Sequence, residues 1–180
     1  MNRKAMTMSL ATIALTTILF VPGSAVAETR GSPATVNREI TEQLKDFKYA
    51  ASQMRTEADT LWSFARTKQL SQQSHSARHV VLKEHINRMG ETLAQLEAQK
   101  SEATDLERMA IEHARPHLAA AADHLTDAMN LVQENSKNVL FQNYSESAEG
   151  LSAHANELYD KLDTILDYND AKVRMDDLVS

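Results

Sequence analysis

From Ser32 onward, apolar residues recur at steps that alternate between four and three, the spacing that gathers side chains on one face of an α-helix. The first run is Ile40, Leu44, Phe47, Ala51, Met54, Ala58, Leu61 and Ala65, with Trp62 and Phe64 flanking it. It predicts a helix over about 33–67, capped by Ser32 and opened by Pro33, whose missing N–H costs nothing in a first turn. The second run, Leu82, Ile86, Met89, Leu93 and Leu96, predicts a helix over 74–100. Carried backwards, its seam passes through His79 and His75. Gly90 interrupts it, at a cost of about 1 kcal/mol relative to alanine unless a neighbour packs closely there.

Thr104 and Glu107 have the spacing of a capping box and open a third helix over 104–137. Its seam is Ile111, Ala114, Leu118, Ala121, Leu125, Ala128 and Val132. Pro116 falls inside it, removing one backbone hydrogen bond and crowding the preceding turn. A kink at 112–115, or a helix restarting at Pro116, is expected. The fourth run is Ala148, Leu151, Ala155, Leu158, Leu162 and Ile165, predicting a helix over 144–170 with a charged, fraying tail after Tyr168.

The connectors, near 68–74, 100–103 and 137–143, are short, and short links make successive helices antiparallel. The fold class is therefore all-α: an antiparallel up-down-up-down four-helix bundle with coiled-coil-like seams. No segment alternates with period two over a useful length, which argues against strands. Seams this regular close within one chain or pair between two, and the short connectors favour a monomer or weak dimer.

The first twenty-seven residues follow a different pattern. Arg3 and Lys4 precede the uncharged, mostly apolar stretch Ala5 to Val21, then come Pro22, Gly23 and the small-residue site Ala25-Val26-Ala27. This reads as a cleaved secretory signal peptide over 1–27 ahead of a single domain over 28–180. The apolar stretch is short for a membrane anchor, no cysteine supports a lipoprotein, and Lys4 after Arg3 breaks a twin-arginine signal. The expected location is exported, periplasmic or extracellular.

The chain carries a formal net charge of −6 and no cysteine. The acidic balance argues against nucleic acid or anionic lipid as a partner held by charge. Without cysteine there is no disulfide framework, thiolate metal site or covalently attached c-type haem. After residue 27 no segment is apolar and long enough to be transmembrane.

Imidazoles are then the candidate reactive groups. The seven histidines are His75, His79, His85, His113, His117, His124 and His154. His75/His79 and His113/His117 are four apart, which puts each pair on one helix face, as two metal ligands or one edge of a haem pocket require. A turn near 101–102 sets His79 level with His124, and one near 139–140 sets His154 level with His124. A turn near 70 brings Leu61 and Trp62 beside His79. The candidate metal site is therefore a layer of His79, His124 and His154 roofed by Trp62, with His75, His113 and His117 as secondary candidates for Zn, Cu or b-type haem. On the third helix the histidines lie about 90° from the seam centre, where side chains with wet tips commonly sit. Glu157 and Asp127, within a turn of His154 and His124, can orient an imidazole.

Other chemistries lack their motifs. No glutamate has a histidine three residues later, against a ferritin-like di-iron centre. Gly-rich phosphate loops, G-x-S-x-G and H-E-x-x-H do not occur. The leading expectation is an exported, non-enzymatic helical bundle acting through a helix face, as a partner-binding or envelope-associated module. The alternative is a periplasmic metal- or b-type-haem-binding bundle. The first requires an exposed apolar surface; the second requires imidazole nitrogens within about 4–5 Å across helices.

Overall fold

A computed structural model describes residues 33–67, 71–134 and 142–179. Four helices account for nearly all of them: α1 (Pro33–Ala65), α2 (Gln72–Ala98), α3 (Asp105–Glu134) and α4 (Gln142–Val179), with a short 3-10 turn at Lys100–Glu102 between α2 and α3. The chain is an all-α four-helix bundle, and no strand occurs among the described residues. The leader reading of 1–27 and the Ser32 cap lie outside the described residues.

Each helix packs on its two neighbours around the ring, α1 on α2, α2 on α3, α3 on α4 and α4 back on α1. Cross-helix pairs give the directions. As α1 runs from Lys45 through Lys48 and Arg55 to Asp59, its partners on α4 step back from Asp170 through Asp163 and Asp160 to Ser152. Arg115 and Val132 on α3 likewise meet Glu97 and Gln72 on α2. Glu57 and Phe64 on α1 meet Arg78 and His75 on α2, so successive helices are antiparallel.

All four apolar seams are buried in one core, from Ile40 to Ala65 on α1 and from Ala148 to Ile165 on α4. Burial on this scale, at about 25 cal/mol per Å² of apolar surface, is what holds a bundle without disulfides. The core also takes side chains with polar atoms: His75 and His79 on α2, Glu107 on α3, and Tyr144 and Ser152 on α4.

Local sequence sets the helix ends. Ser71 caps α2 by accepting the Ser74 N–H through its side chain at 3.3 Å. The capping box forms at α3, where Glu107 accepts the Thr104 N–H at 2.8 Å and Thr104 Oγ1 accepts the Glu107 N–H at 3.3 Å. Glu107 also accepts a 2.6 Å hydrogen bond from Thr41 on α1, which ties the start of α3 to the first helix.

Two expectations change. Helix α3 does not restart at Pro116 but runs unbroken through it, and Pro116 is exposed. Helix α4 does not end near Tyr168 but continues to Val179. Its last turns are exposed, and Lys45 of α1 reaches Asp170 at 3.7 Å near their start. Gly90 has no close neighbour: a Cβ there would meet nothing within 4 Å, because it borders a groove between α2 and α3 lined by Ile86, Leu93, Leu118 and Ala122. Among the described residues no helix is long and apolar enough to cross a membrane.

Candidate functional site

The expected histidine layer divides into two groups. His75 and His79 lie on the buried seam of α2 and point into the core, where both meet Tyr144 of α4. The Tyr144 hydroxyl is 2.8 Å from His75 Nδ1 and 3.2 Å from His79 Nε2. A phenol has one proton to give, so one imidazole accepts it and the other donates its N–H to the same oxygen. Burial lowers the pKa of His75 and lowers that of His79 to about 4, the adjacent His75 adding to the second effect. Burial also pushes Tyr144 upward. All three groups are thus neutral near pH 7. The aromatic neighbour of this trio is Phe64, edge-on to His75 at 6.2 Å. Trp62, the expected roof, instead lies beneath Arg66 beside an open polar pocket with Asp59, Ser152 and Asn156.

The second group lies at the α3–α4 edge. His117 of α3 and His154 of α4 bring their Nδ1 atoms to 3.4 Å. Glu157, one turn beyond His154, places Oε2 3.1 Å from His117 Nδ1 and 3.8 Å from His154 Nδ1. His124 of α3 stacks on His154, with ring centroids 5.5 Å apart and planes inclined by 23°. His113 is exposed on α3, one turn before His117. Burial lowers the pKa of His117; Glu157 opposes that shift, while His154, His113 and Lys161 reinforce it. The shift favours the neutral imidazole, in which one ring nitrogen of His117 offers a lone pair.

The split has a geometric cause. On α2 the two histidines occupy the seam, whereas on α3 and α4 they occupy its flank, about a quarter-turn away. A side chain at the centre of the bundle and one at its edge do not converge, even at one level. The α3–α4 register also differs from that of a turn at 139–140, so His154 falls between His117 and His124. His124 and His154 come together; His79 joins His75 instead, and His117 takes its place beside His154.

What this edge can do follows from its atoms. Two ligands bound at 2.0–2.1 Å and separated by a tetrahedral angle lie about 3.4 Å apart. The triangle of His117 Nδ1, His154 Nδ1 and Glu157 Oε2 has sides of 3.1, 3.4 and 3.8 Å. These three form the candidate metal-ligand cluster among the described residues. Two imidazoles and a carboxylate from one side leave a coordination position open toward solvent.

The sequence signalled some of this. Glu157 stood out as a residue able to orient His154. Tyr144 lies one four-residue step before Ala148 on the α4 seam, a position that marks it as buried, though not as the partner of two histidines. Nothing in the spacing singles out Gly150, yet a Cβ built on it would lie 2.5 Å from Cε1 of His124. No protein family, curated protein or solved structure matches the chain.

Proposed function

We propose that this protein is a non-enzymatic binder of a divalent transition-metal ion, zinc or copper, held by His117, His154 and Glu157 between α3 and α4. The observation that carries this reading is the ligand triangle, whose edges match those of a tetrahedral site. Imidazole with carboxylate suits these ions better than magnesium or calcium, which prefer all-oxygen shells. A compact ion fits better than b-type haem: axial imidazoles on one iron lie about 4 Å apart on opposite faces of a macrocycle. Here Glu157 approaches both rings instead. Export to the periplasm or exterior, the destination implied by a cleaved leader over 1–27, belongs to the same proposal. In a chain without cysteine, histidine and carboxylate are the ligands best suited to such a divalent ion.

Isothermal titration of the purified mature chain with Zn²⁺ and with Cu²⁺ tests the reading. One ion per chain is expected, with affinity reduced at least tenfold in His117→Ala, His154→Ala and Glu157→Ala. Absence of binding, or binding unaffected by His154→Ala, overturns it.

A second reading, partner binding through a helix face, is favoured by the end of α4. Tyr168, Ala171, Met175 and Leu178 recur at steps of three and four on an exposed stretch of helix. Such a stripe is suited to pairing with another amphipathic helix, including that of a second copy. Light scattering of the chain alone and of Met175→Glu tests this. Concentration-dependent dimerisation lost in the variant supports self-pairing, whereas a monomer at every concentration rules it out.

A further inference from the structure

Gly150 sits inside α4, in its third turn, with no loop or positive φ that would call for glycine. At such a position glycine is less favourable than alanine. The space its missing side chain leaves is occupied. A Cβ on Gly150 would lie 2.5 Å from Cε1, 2.6 Å from Nε2 and 2.8 Å from Nδ1 of His124. Three ring atoms at nearly equal distances mean that the imidazole lies flat over the helix backbone. The same ring stacks on His154. His124 therefore meets both the bare backbone of α4 at Gly150 and the ring of a proposed ligand.

We infer that Gly150 and His124 form a positioning device for the metal site: the glycine is a shelf for the His124 ring, and that ring fixes the rotamer of His154. The inference rests on the metal-binding reading of His117, His154 and Glu157. His154 is the cluster member that needs such support. It is half-buried at the bundle edge, and its Nδ1 must meet both His117 across the helix pair and Glu157 on its own helix. In that arrangement His124 is not a ligand. It acts through its shape, and Gly150 acts by leaving room for that shape. Residues that orient metal ligands without touching the metal commonly change affinity 10–100-fold when altered.

Gly90 supplies the internal control, because it is also helical but a Cβ there meets nothing within 4 Å. The experiment is Zn²⁺ titration, with thermal unfolding in parallel, of the mature chain and of Gly150→Ala, Gly90→Ala, His124→Ala and His124→Phe. Gly150→Ala and His124→Ala are expected to bind Zn²⁺ about tenfold more weakly while remaining folded. Gly90→Ala is expected to bind as the parent does. His124→Phe, which keeps a flat ring but no nitrogen, is expected to retain affinity within about threefold. An unchanged affinity in Gly150→Ala overturns the shelf. A loss in His124→Phe as large as in His124→Ala overturns the positioning role, since the nitrogen would then matter. If the parent chain itself binds no Zn²⁺, the metal reading fails, and the inference falls with it.

Discussion

The hydroxyl of Tyr144 lies 2.8 Å from Nδ1 of His75, and this contact joins α4 to α2 across the centre of the bundle. His79 shares the same oxygen at 3.2 Å. One hydroxyl gives each of the two core imidazoles a partner for one ring nitrogen, and a buried polar group without a partner is costly. Tyr144→Phe keeps the ring and deletes that oxygen. It should destabilise the fold by roughly 1–3 kcal/mol. Urea unfolding should show a lower midpoint with an unchanged slope. Adding His75→Leu and His79→Leu to Tyr144→Phe should recover much of the loss, because no polar group is then left unsatisfied.

The same trio makes stability depend on pH. In the folded state burial holds His79 near a pKa of about 4 and lowers His75, whereas an unfolded histidine titrates near 6.5. Between those values the unfolded chain binds more protons, so unfolding becomes easier as pH falls. The contribution is full above pH 6.5 and disappears progressively toward pH 4. For His79 alone it is on the order of 3 kcal/mol. Unfolding free energies measured between pH 7 and pH 5, above most carboxylate titration, should fall accordingly. His79→Leu should flatten that slope, and an equally steep slope in this variant would discredit the account.

Glu107 poses a different problem, a buried carboxylate at the first turn of α3. It accepts from the Thr104 backbone and from the hydroxyls of Thr104 and Thr41, so its oxygens are satisfied from two helices. Glu107→Ala should cost about 2 kcal/mol, more than a simple cap, because it also leaves the buried end of α3 without its acceptor. Thr41→Val should cost about 1 kcal/mol. Thermal unfolding of the double variant should show less than the sum of the two, because both substitutions break the same hydrogen bond.

The fold was legible because the seams are nearly perfect: every seam residue from Ile40 to Ile165 that the three-four spacing selects is buried. The histidine arrangement was less so. Seam position sent His75 and His79 to the core, but the identity of their partner depended on Tyr144, seven residues before Leu151 on another helix. The pairing of His117 with His154 depended on the α3–α4 register, which passes through residues 135–141 and is set by packing of both helices. Gly150 was opaque for a further reason. A glycine in a helix reads as a defect until the group lying over it is known.

That contrast gives a prediction for the two helical glycines. Gly90→Ala adds a methyl group where nothing lies within 4 Å. It should stabilise the protein by about 0.5–1 kcal/mol through backbone entropy. Gly150→Ala should gain less or lose, since the His124 ring must leave its place. Melting temperatures of the two variants should therefore differ, with Gly90→Ala the higher.

Metal addition should raise the melting temperature of the parent chain. An ion held by His117 on α3 and by His154 and Glu157 on α4 binds the folded state, because the three donors converge only when the helices pack. At a free ion concentration 100 times the dissociation constant, that linkage adds about 2.7 kcal/mol, and excess chelator should remove it completely. His154→Ala should lose the ion-dependent rise while leaving the apo melting temperature nearly unchanged, since His154 is half-buried at the edge rather than in the core. His79→Leu should do the reverse, changing the apo stability and keeping the rise. An ion-dependent rise that survives His154→Ala but vanishes in His79→Leu would move the site to the buried trio.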